Sequence, residues 1–544
     1  MVAVLLVPQA VAYAQLAGLP ASAGLYASMV PLLVYALTGA RAGLSIGPVA
    51  LVSLLFADAV ASAGVELEAS AATALLTALV ALALLCAGLF RLGFLVRFVS
   101  NPVIKGFTAA AAILIALSQL GATLGIDLER GALPATIGSL IERAGEIHVP
   151  TLAISAVALV GFALGGRPWA SLVERLLGNG TAALVLTKSA PLAVIVAIVA
   201  ACAWGGWPER FGIETVGALD SGLPTLTLPP LDPGAATSLA PSALAIAAIV
   251  FVVATGIADS VDTGGERTSP DREAIALGAA NAAAALSGGY AVGASFSRSA
   301  LAANAGAATA FSLGVTALLV ALVVLLAGDA FAFLPRGVLG ALIVSAVWSL
   351  IDVRAMRRVW RFSRAEATTL FLTAAAVLLG GLQTGIAVGA LAGLALYLHG
   401  TSRPRVTLEG RLEGTRSLRG STREDVASPG ERDWFAVRID ESLYFANAGH
   451  VRRVINDALG DGAGTEIVLL DLKSVDHVDY TALETLESLA DDLQGRGVSM
   501  RLVAAKRPVW ETLERFGLVD RCGGPEANYA TEEAALEALE TRDR

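Results

Sequence analysis

Cysteine is nearly absent from this chain: of 544 residues only Cys86, Cys202 and Cys522 carry a thiol, and the first two sit in apolar stretches. That excludes a disulfide framework and a thiolate metal centre. The four histidines, His148, His399, His450 and His477, are far apart and show no metal-ligand spacing. No metal and no cofactor is therefore expected. Charged residues are scarce as well, at 16%. A Walker-type phosphate loop is missing, which argues against an ATP-driven machine, and no basic groove with interleaved aromatics suggests a nucleic-acid partner.

What fills the chain instead is apolar sequence. With 55% hydrophobic residues and a mean hydropathy of +0.69, it is too apolar for a soluble domain of this size. A bilayer-crossing helix needs roughly 20 apolar residues. Windows at 20–38, 70–90, 103–123, 149–165, 182–205, 242–258, 307–328, 337–351, 366–380 and 382–398 meet that need. Shorter windows at 1–17, 48–63, 272–288 and 295–306 bring the expected count to about fourteen. The predicted class is a polytopic all-α membrane domain over residues 1–400, with the lipid bilayer as its first partner.

Past residue 400 the character changes. Residues 1–400 carry a net charge of −1 and the remainder −8, so the tail reads as a soluble acidic domain. Residues 401–433 read as a linker with a strand leading into the tail and a loop. Residues 434–544 alternate strand and helix: strands at 434–439, 466–472 and 499–504, helices at 446–459, 481–494 and 507–516. That alternation predicts a small α/β domain.

Basic residues set the orientation. A fourteen-span count starting inside leaves only Arg130, Arg143, Arg210 and Arg336 in outside loops, while the inside loops hold Arg41, Arg91, Arg97, Lys105 and a cluster from Arg354 to Arg364, among others. The positive-inside rule then places the tail in the cytoplasm, in a cell (inner) membrane protein. The arginine cluster reads as a topology signal, with lipid recognition as the alternative.

Two apolar segments are broken. Ser45-Ile46-Gly47-Pro48-Val49-Ala50 and Gly293-Ala294-Ser295-Phe296-Ser297-Arg298-Ser299 put glycine, small residues and hydroxyls where helix would otherwise continue. Non-helical backbone survives at membrane depth only inside protein or beside a water-filled cavity, so paired breaks point to a solute site.

Several ordered motifs resemble the sulfate-permease (SulP) family, related to the solute-carrier-26 anion transporters. They are Pro8-Gln9-Ala10-Val11-Ala12-Tyr13-Ala14, Leu16 to Pro20, Gly24 to Ser28, Leu44 to Ala50, Asn101 to Thr108 and Ser295 to Ala300. The tail, with Tyr444 to Ala448 and Asp471 to Leu483, resembles a STAS domain. The resemblance implies two inverted seven-helix repeats divided into core and gate domains, with half-spanning third and tenth helices whose N-termini face each other. Independently of any family, a helix N-terminus presents unpaired N–H groups and about half a positive charge, so two of them aimed at one cavity suit an anion.

On that basis the candidate substrate-binding residues are Gln9, Tyr13, Ser45, Gly47, Pro48, Val49, Ser295, Phe296, Ser297 and Arg298. Gln9 and Tyr13 lie one turn apart and share a helix face, where they present an amide and a phenol to a solute or bond a neighbouring helix. Pro48 suits the first position of a half-helix, since its missing N–H needs no partner; an ordinary turn is the alternative. Arg298 supplies a fixed positive field or a structural ion pair. The resemblance places a coupling carboxylate at Asp259, with Asp262 as rival, for a proton or a sodium ion. It also implies chain ahead of the Pro-Gln motif, yet Met1 lies only seven residues before Pro8, so an upstream start or a short opening helix is expected. Thr481 matches a phosphorylatable position of related regulatory domains and doubles as an ordinary helix cap.

The function implied is not enzymatic. It is secondary active transport of a small inorganic anion, sulfate foremost, by alternating access and as a homodimer. Bicarbonate or dicarboxylate transport, an anion channel, and a membrane-anchored regulatory scaffold are the alternatives.

Overall fold

The structure is a computed structural model describing residues 2–38, 44–62, 67–94, 100–128, 133–165, 167–177, 186–187, 189–217, 222–260, 269–307, 309–348, 350–411, 418–420, 433–460 and 464–542. It forms two compact units, Met1–Leu394 and Ala395–Arg544.

The first unit begins with α1 (Val2–Leu16), α2 (Ala21–Tyr26), α3 (Val30–Thr38), β1 (Ile46–Gly47), α4 (Ala50–Ser62) and α5 (Ala69–Leu89). Next come α6 (Asn101–Ser118), α7 (Leu120–Leu124), α8 (Leu133–Glu142), α9 (Val149–Leu164), α10 (Arg167–Leu177), α11 (Ala190–Gly205) and α12 (Trp207–Phe211). The second half runs α13 (Pro233–Ser260), α14 (Pro270–Leu286), β2 (Gly293–Ala294), α15 (Phe296–Asn304), α16 (Phe311–Ala327), α17 (Arg336–Trp348), α18 (Val353–Phe362) and α19 (Arg364–Ser402).

Each of the fourteen predicted windows falls on helix among the described residues; part of 182–205 lies outside them. Among the described residues, six helical stretches are long and apolar enough to cross a membrane, and five further apolar helices are shorter. α19 covers two windows because Gly381, at φ 85° and ψ 175°, breaks it between them. α14 carries more polar residues than a lipid-facing span tolerates, which fits its interior position.

Between helices in lipid the hydrophobic effect offers little, so close approach through small residues has to supply the packing. α14, rich in alanine, lies against α5: a side chain at Gly278 would meet the backbone N of Leu85 at 2.9 Å. α3, α4, α5, α13, α14 and α16 pack as one group, and α6, α7, α9, α11 and α17 as another. α1 touches both, contacting α4 and α16 as well as α17.

The second unit holds a five-stranded sheet ordered β4-β3-β5-β6-β7, from β3 (Val406–Arg411), β4 (Leu418–Gly420), β5 (Trp434–Ile439), β6 (Ile467–Asp471) and β7 (Ser499–Val503). β5, β6 and β7 are parallel, and β3 is antiparallel to β5. Parallel strands need crossover helices, here α20 (Ala448–Leu459) and α21 (Tyr480–Gly495), followed after β7 by α22 (Arg507–Arg515) and α23 (Leu518–Arg521). Phe435, Val437, Val468 and Leu470 face these helices, whereas Trp434, Ala436 and Leu469 face α24 (Glu532–Arg542) through Ala535, Leu536 and Leu539. β6 is consequently buried on both faces, as its uninterrupted apolar run requires. The six predicted tail elements are present; β4 and α24 were not foreseen, and 412–417 and 421–432, where the loop was expected, lie outside the described residues.

Candidate functional site

The two sequence breaks meet. β1 and β2 pair antiparallel, with Ile46 opposite Ala294 and Gly47 opposite Gly293. The pairing continues as the Ser295 N–H donates to the Ser45 carbonyl at 3.0 Å, and the Ser45 N–H donates to Ser299 Oγ at 2.8 Å. Each two-residue strand leads into a short helix: α4 has 13 residues and α15 has 9. At about 1.5 Å per residue these reach about 20 Å and about 14 Å, against a hydrocarbon core of about 30 Å. Neither is long enough to cross it, and both are led into by strands buried in the protein. Val49 caps α4, its carbonyl accepting the Ser53 N–H at 3.0 Å. Pro48 therefore stands one residue before the cap and not at the first helical position, because the extended pairing of Ile46 and Gly47 delays the helix. Ser295 caps α15 in extended geometry without using its side chain.

Arg298 projects from the first turn of α15 and is fully buried. Its Nη1 donates to Gln9 Oε1 on α1 at 3.2 Å, while Nε and Nη2 make no hydrogen bond within the protein. Ser45 Oγ is likewise buried without a partner among the described residues. Gly47 adopts φ +140°, a conformation side chains rarely take, and a Cβ there would sit 3.4 Å from Arg298 Nη2. Tyr13 is buried one turn beyond Gln9, and both Tyr13 and Tyr290 lie within electrostatic reach of the guanidinium. Ser295 Oγ and Ser297 Oγ are 3.3 Å apart, Ser297 and Phe296 being exposed. The structure thus brings Gln9, Tyr13, Ser45, Gly47 and Arg298 together at the β1–β2 junction, with Pro48, Val49, Ser295, Phe296 and Ser297 on the adjoining backbone. A separate polar cavity of about 570 Å³, lined by Gln15, Asp127, His148, Glu214 and Arg336 among others, includes none of these residues.

Sequence reasoning missed the supports. Asn281, fully buried on α14, accepts the Val292 N–H at Oδ1 (2.9 Å) and donates from Nδ2 to the Val292 carbonyl (3.1 Å), clamping the chain just before β2. Ser53 of α4 bonds the Tyr290 hydroxyl at 2.8 Å, and Tyr290 meets the Phe56 ring edge-on. Buried Glu273 accepts from the Tyr35 hydroxyl at 2.6 Å, joining α3 to α14. A lone asparagine among alanines was the available signal for the clamp.

Of the coupling candidates, Asp259 falls in the last turn of α13 and Asp262 lies outside the described residues. In the second unit Thr481 is exposed in the first turn of α21, but it is not the cap. Asp479 is, accepting the Ala482 N–H at Oδ1 and the Phe445 N–H at Oδ2, both at 2.8 Å. A carboxylate one position before the helix outcompetes a hydroxyl inside it. The same unit holds an ionic cluster in which half-buried Arg438 pairs with buried Glu409 and half-buried Asp440, opposite buried Asp471 on the next strand. Burial pushes the Glu409 carboxyl up to about 7 despite the Arg438 charge, and raises that of Asp471.

Residues 1–373 match the Sulfate permease family and residues 426–535 match the STAS domain. Sulfate transporter 4.1, chloroplastic, of Arabidopsis thaliana is 32% identical over 538 residues, covering 96% of this chain and 76% of that protein. A probable sulfate transporter of Mycobacterium tuberculosis is 35% identical over 535 residues, covering 96% of this chain and 91% of its own length. In fold, the chain resembles the murine solute carrier 26 family member A9 anion transporter in the inward-facing state, with a TM-score of 0.85 at 22% identity over 99% of this chain and 90% of that one. It also resembles the transmembrane domain of a cyanobacterium bicarbonate transporter, with a TM-score of 0.59 at 20% identity over 72% of this chain and 94% of that one. A multi-pass helical membrane unit, two broken segments paired around a buried arginine, and an α/β tail together agree with these matches: the chain belongs to the Sulfate permease family of membrane anion transporters and carries a STAS domain.

Proposed function

We propose that this protein is a secondary active transporter of an inorganic anion, sulfate foremost, working by alternating access from a site at the β1–β2 junction. One observation carries the reading: a fully buried arginine with two uncommitted donors stands where two half-spanning helices begin. A buried charge is costly unless paired, and the only side-chain hydrogen bond that Arg298 makes among the described residues is to a neutral amide. A divalent oxyanion completes the arrangement, accepting from the Arg298 guanidinium, Ser45 Oγ and first-turn N–H groups. Sulfate ranks first because the relatives named above carry the names sulfate transporter and probable sulfate transporter.

Alternating access is supported by the position of α1, which carries Gln9 and contacts both packing groups. The site exchanges sides when one group moves against the other. Asp259, on the helix before α14, is the proposed coupling carboxylate for a proton or a sodium ion. The basic-loop asymmetry supports an inner-membrane location with the STAS domain in the cytoplasm, and a homodimer is the proposed assembly.

Uptake of labelled sulfate into proteoliposomes, challenged with bicarbonate, fumarate, selenate and chloride at two pH values with and without sodium, tests the reading. Saturable, gradient-driven uptake competed by selenate supports it. Competition by bicarbonate or fumarate alone reassigns the substrate, and non-saturable flux makes the protein a channel.

A further inference from the structure

Between α17 and α19, two helices of the membrane unit, lies α18 (Val353–Phe362), a ten-residue helix capped by Asp352, whose Oδ1 accepts the Ala355 N–H at 2.9 Å. Its spacing sorts the residues by chemistry. Arg354, Arg357, Arg358 and Arg361 fall on one arc, three or four positions apart, and line a common shallow cleft. Val353, Met356, Val359 and Trp360 fall on the opposite arc. All four arginines are exposed, and among the described residues none is paired with a carboxylate. Like charges at these spacings repel and weaken an isolated helix, so the arrangement asks for negative charge from outside the chain.

The opposite arc is not fully used by the protein either. Val353 is 52% exposed, Trp360 48% and the flanking Phe362 81%. Trp360 is held in place, with the Arg364 guanidinium 5.4 Å from its ring centre and Phe371 of α19 edge-on at 5.9 Å. A short helix with a cationic face, an exposed apolar face and an anchored tryptophan, flanked on both sides by membrane helices, has the constitution of an interfacial helix. An acidic protein surface would satisfy the arginines but not the apolar face. A charged leaflet satisfies both.

We infer that α18 lies in the membrane–water interface and that its four arginines form a binding face for anionic phospholipid headgroups, distinct from the transport site. This does not depend on which anion is carried.

The full-length protein, reconstituted in nanodiscs of phosphatidylglycerol and phosphatidylcholine, is released into the gas phase and the retained lipids are counted by native mass spectrometry. A basic residue near an anionic surface is worth roughly a fivefold preference, so four acting fully and independently set a ceiling of about 600-fold, and enrichment of phosphatidylglycerol of about tenfold or greater is expected. Replacing all four arginines by glutamine (Arg354→Gln, Arg357→Gln, Arg358→Gln, Arg361→Gln) brings the ratio toward parity, and raised salt does the same to the wild type. The corresponding four-lysine variant retains most of the preference and keeps the test readable if the glutamine variant does not fold. Unchanged enrichment in the glutamine variant overturns the inference, as does a lysine variant at parity. Stripping of the lipid by inorganic phosphate at matched ionic strength assigns the cleft to a soluble anion instead. Photocrosslinks from position 362 to the acidic tail and not to lipid make α18 a protein-docking face, which also overturns it.

Discussion

Arg298 Nη1 donates to Gln9 Oε1 at 3.2 Å, joining residues 289 positions apart in the chain. The partner is a neutral amide, so the bond orients the guanidinium without cancelling its charge. Gln9→Glu keeps the size and the acceptor but neutralises the field. It is expected to raise the KM for anion uptake roughly 10- to 100-fold, the scale of one charge-assisted hydrogen bond. Gln9→Leu is expected to have a smaller effect, because the charge survives. A Gln9→Glu protein with wild-type KM would show that Arg298 does not act on the anion.

Gly47 stands at φ +140° with Arg298 Nη2 3.4 Å from where a Cβ would go. Gly47→Ala forces a conformation costing about 1–3 kcal/mol, with the added methyl in van der Waals contact with the guanidinium. The expected result is a large loss of uptake by protein that still reaches the membrane and elutes as a single species. Normal uptake by the alanine variant would mean that the β1–β2 junction tolerates displacement and is not a tightly built site.

Much of this was readable from residue patterns, for identifiable reasons. Apolar windows mark helices because lipid imposes internal hydrogen bonding on any exposed span, and all fourteen fell on helix among the described residues. The alternating tail read correctly because buried parallel strands are continuous apolar runs, as at Ile467–Asp471. Two-residue strands have no periodicity, so the pairing of Ile46 with Ala294 was invisible, although the breaks themselves were not. Asn281 was hidden because its role depends on Val292, eleven residues away in an extended segment. Thr481 was misread as a cap because hydroxyl and carboxylate both suit that end of a helix, and only geometry separates them.

Asp259 occupies the last turn of α13, on the way to the α14 helix that carries Asn281 and Glu273. If it couples anion movement to a cation, Asp259→Asn abolishes the dependence of uptake on pH or sodium while leaving anion exchange in place. Parallel measurements of gradient-driven uptake and of equilibrium exchange separate the two. Coupled uptake that is unchanged in the variant removes Asp259 from the mechanism.

Glu409 is 1% exposed, and burial raises its carboxyl from 4.5 to about 7, with Arg438, Asp440, Asp471 and Glu532 as its charged neighbours. A carboxyl raised on folding leaves the folded form holding more protons than the unfolded one. Its contribution to stability is therefore complete below about 4.5 and lost as pH rises through about 7. Asp471, raised by the same cause, acts in the same direction. Thermal unfolding of the full chain, with Trp434 and Trp510 reporting on this unit, is expected to show a lower midpoint at about pH 8 than at about pH 5.5. Glu409→Gln should flatten that difference. An equal slope in the variant would place the titration elsewhere.

Asp479 caps α21 and also holds the Phe445 N–H, so it fastens the helix start to the loop after β5. Removing it by Asp479→Ala frees two N–H groups and is expected to cost about 1–2 kcal/mol. Thr481, exposed and outside the cap, should be close to neutral, with Thr481→Ala within about 0.5 kcal/mol of the wild type. That contrast bears on regulation: since the hydroxyl is not needed for the helix, it is free for phosphate, which the N-terminal N–H groups and helix dipole favour while the Asp479 carboxylate opposes it. Thr481→Glu, with uptake and unfolding measured on the same preparation, separates the two roles. A shift in uptake without a shift in stability supports a regulatory site, whereas destabilisation by Thr481→Ala as large as by Asp479→Ala would return Thr481 to a structural part.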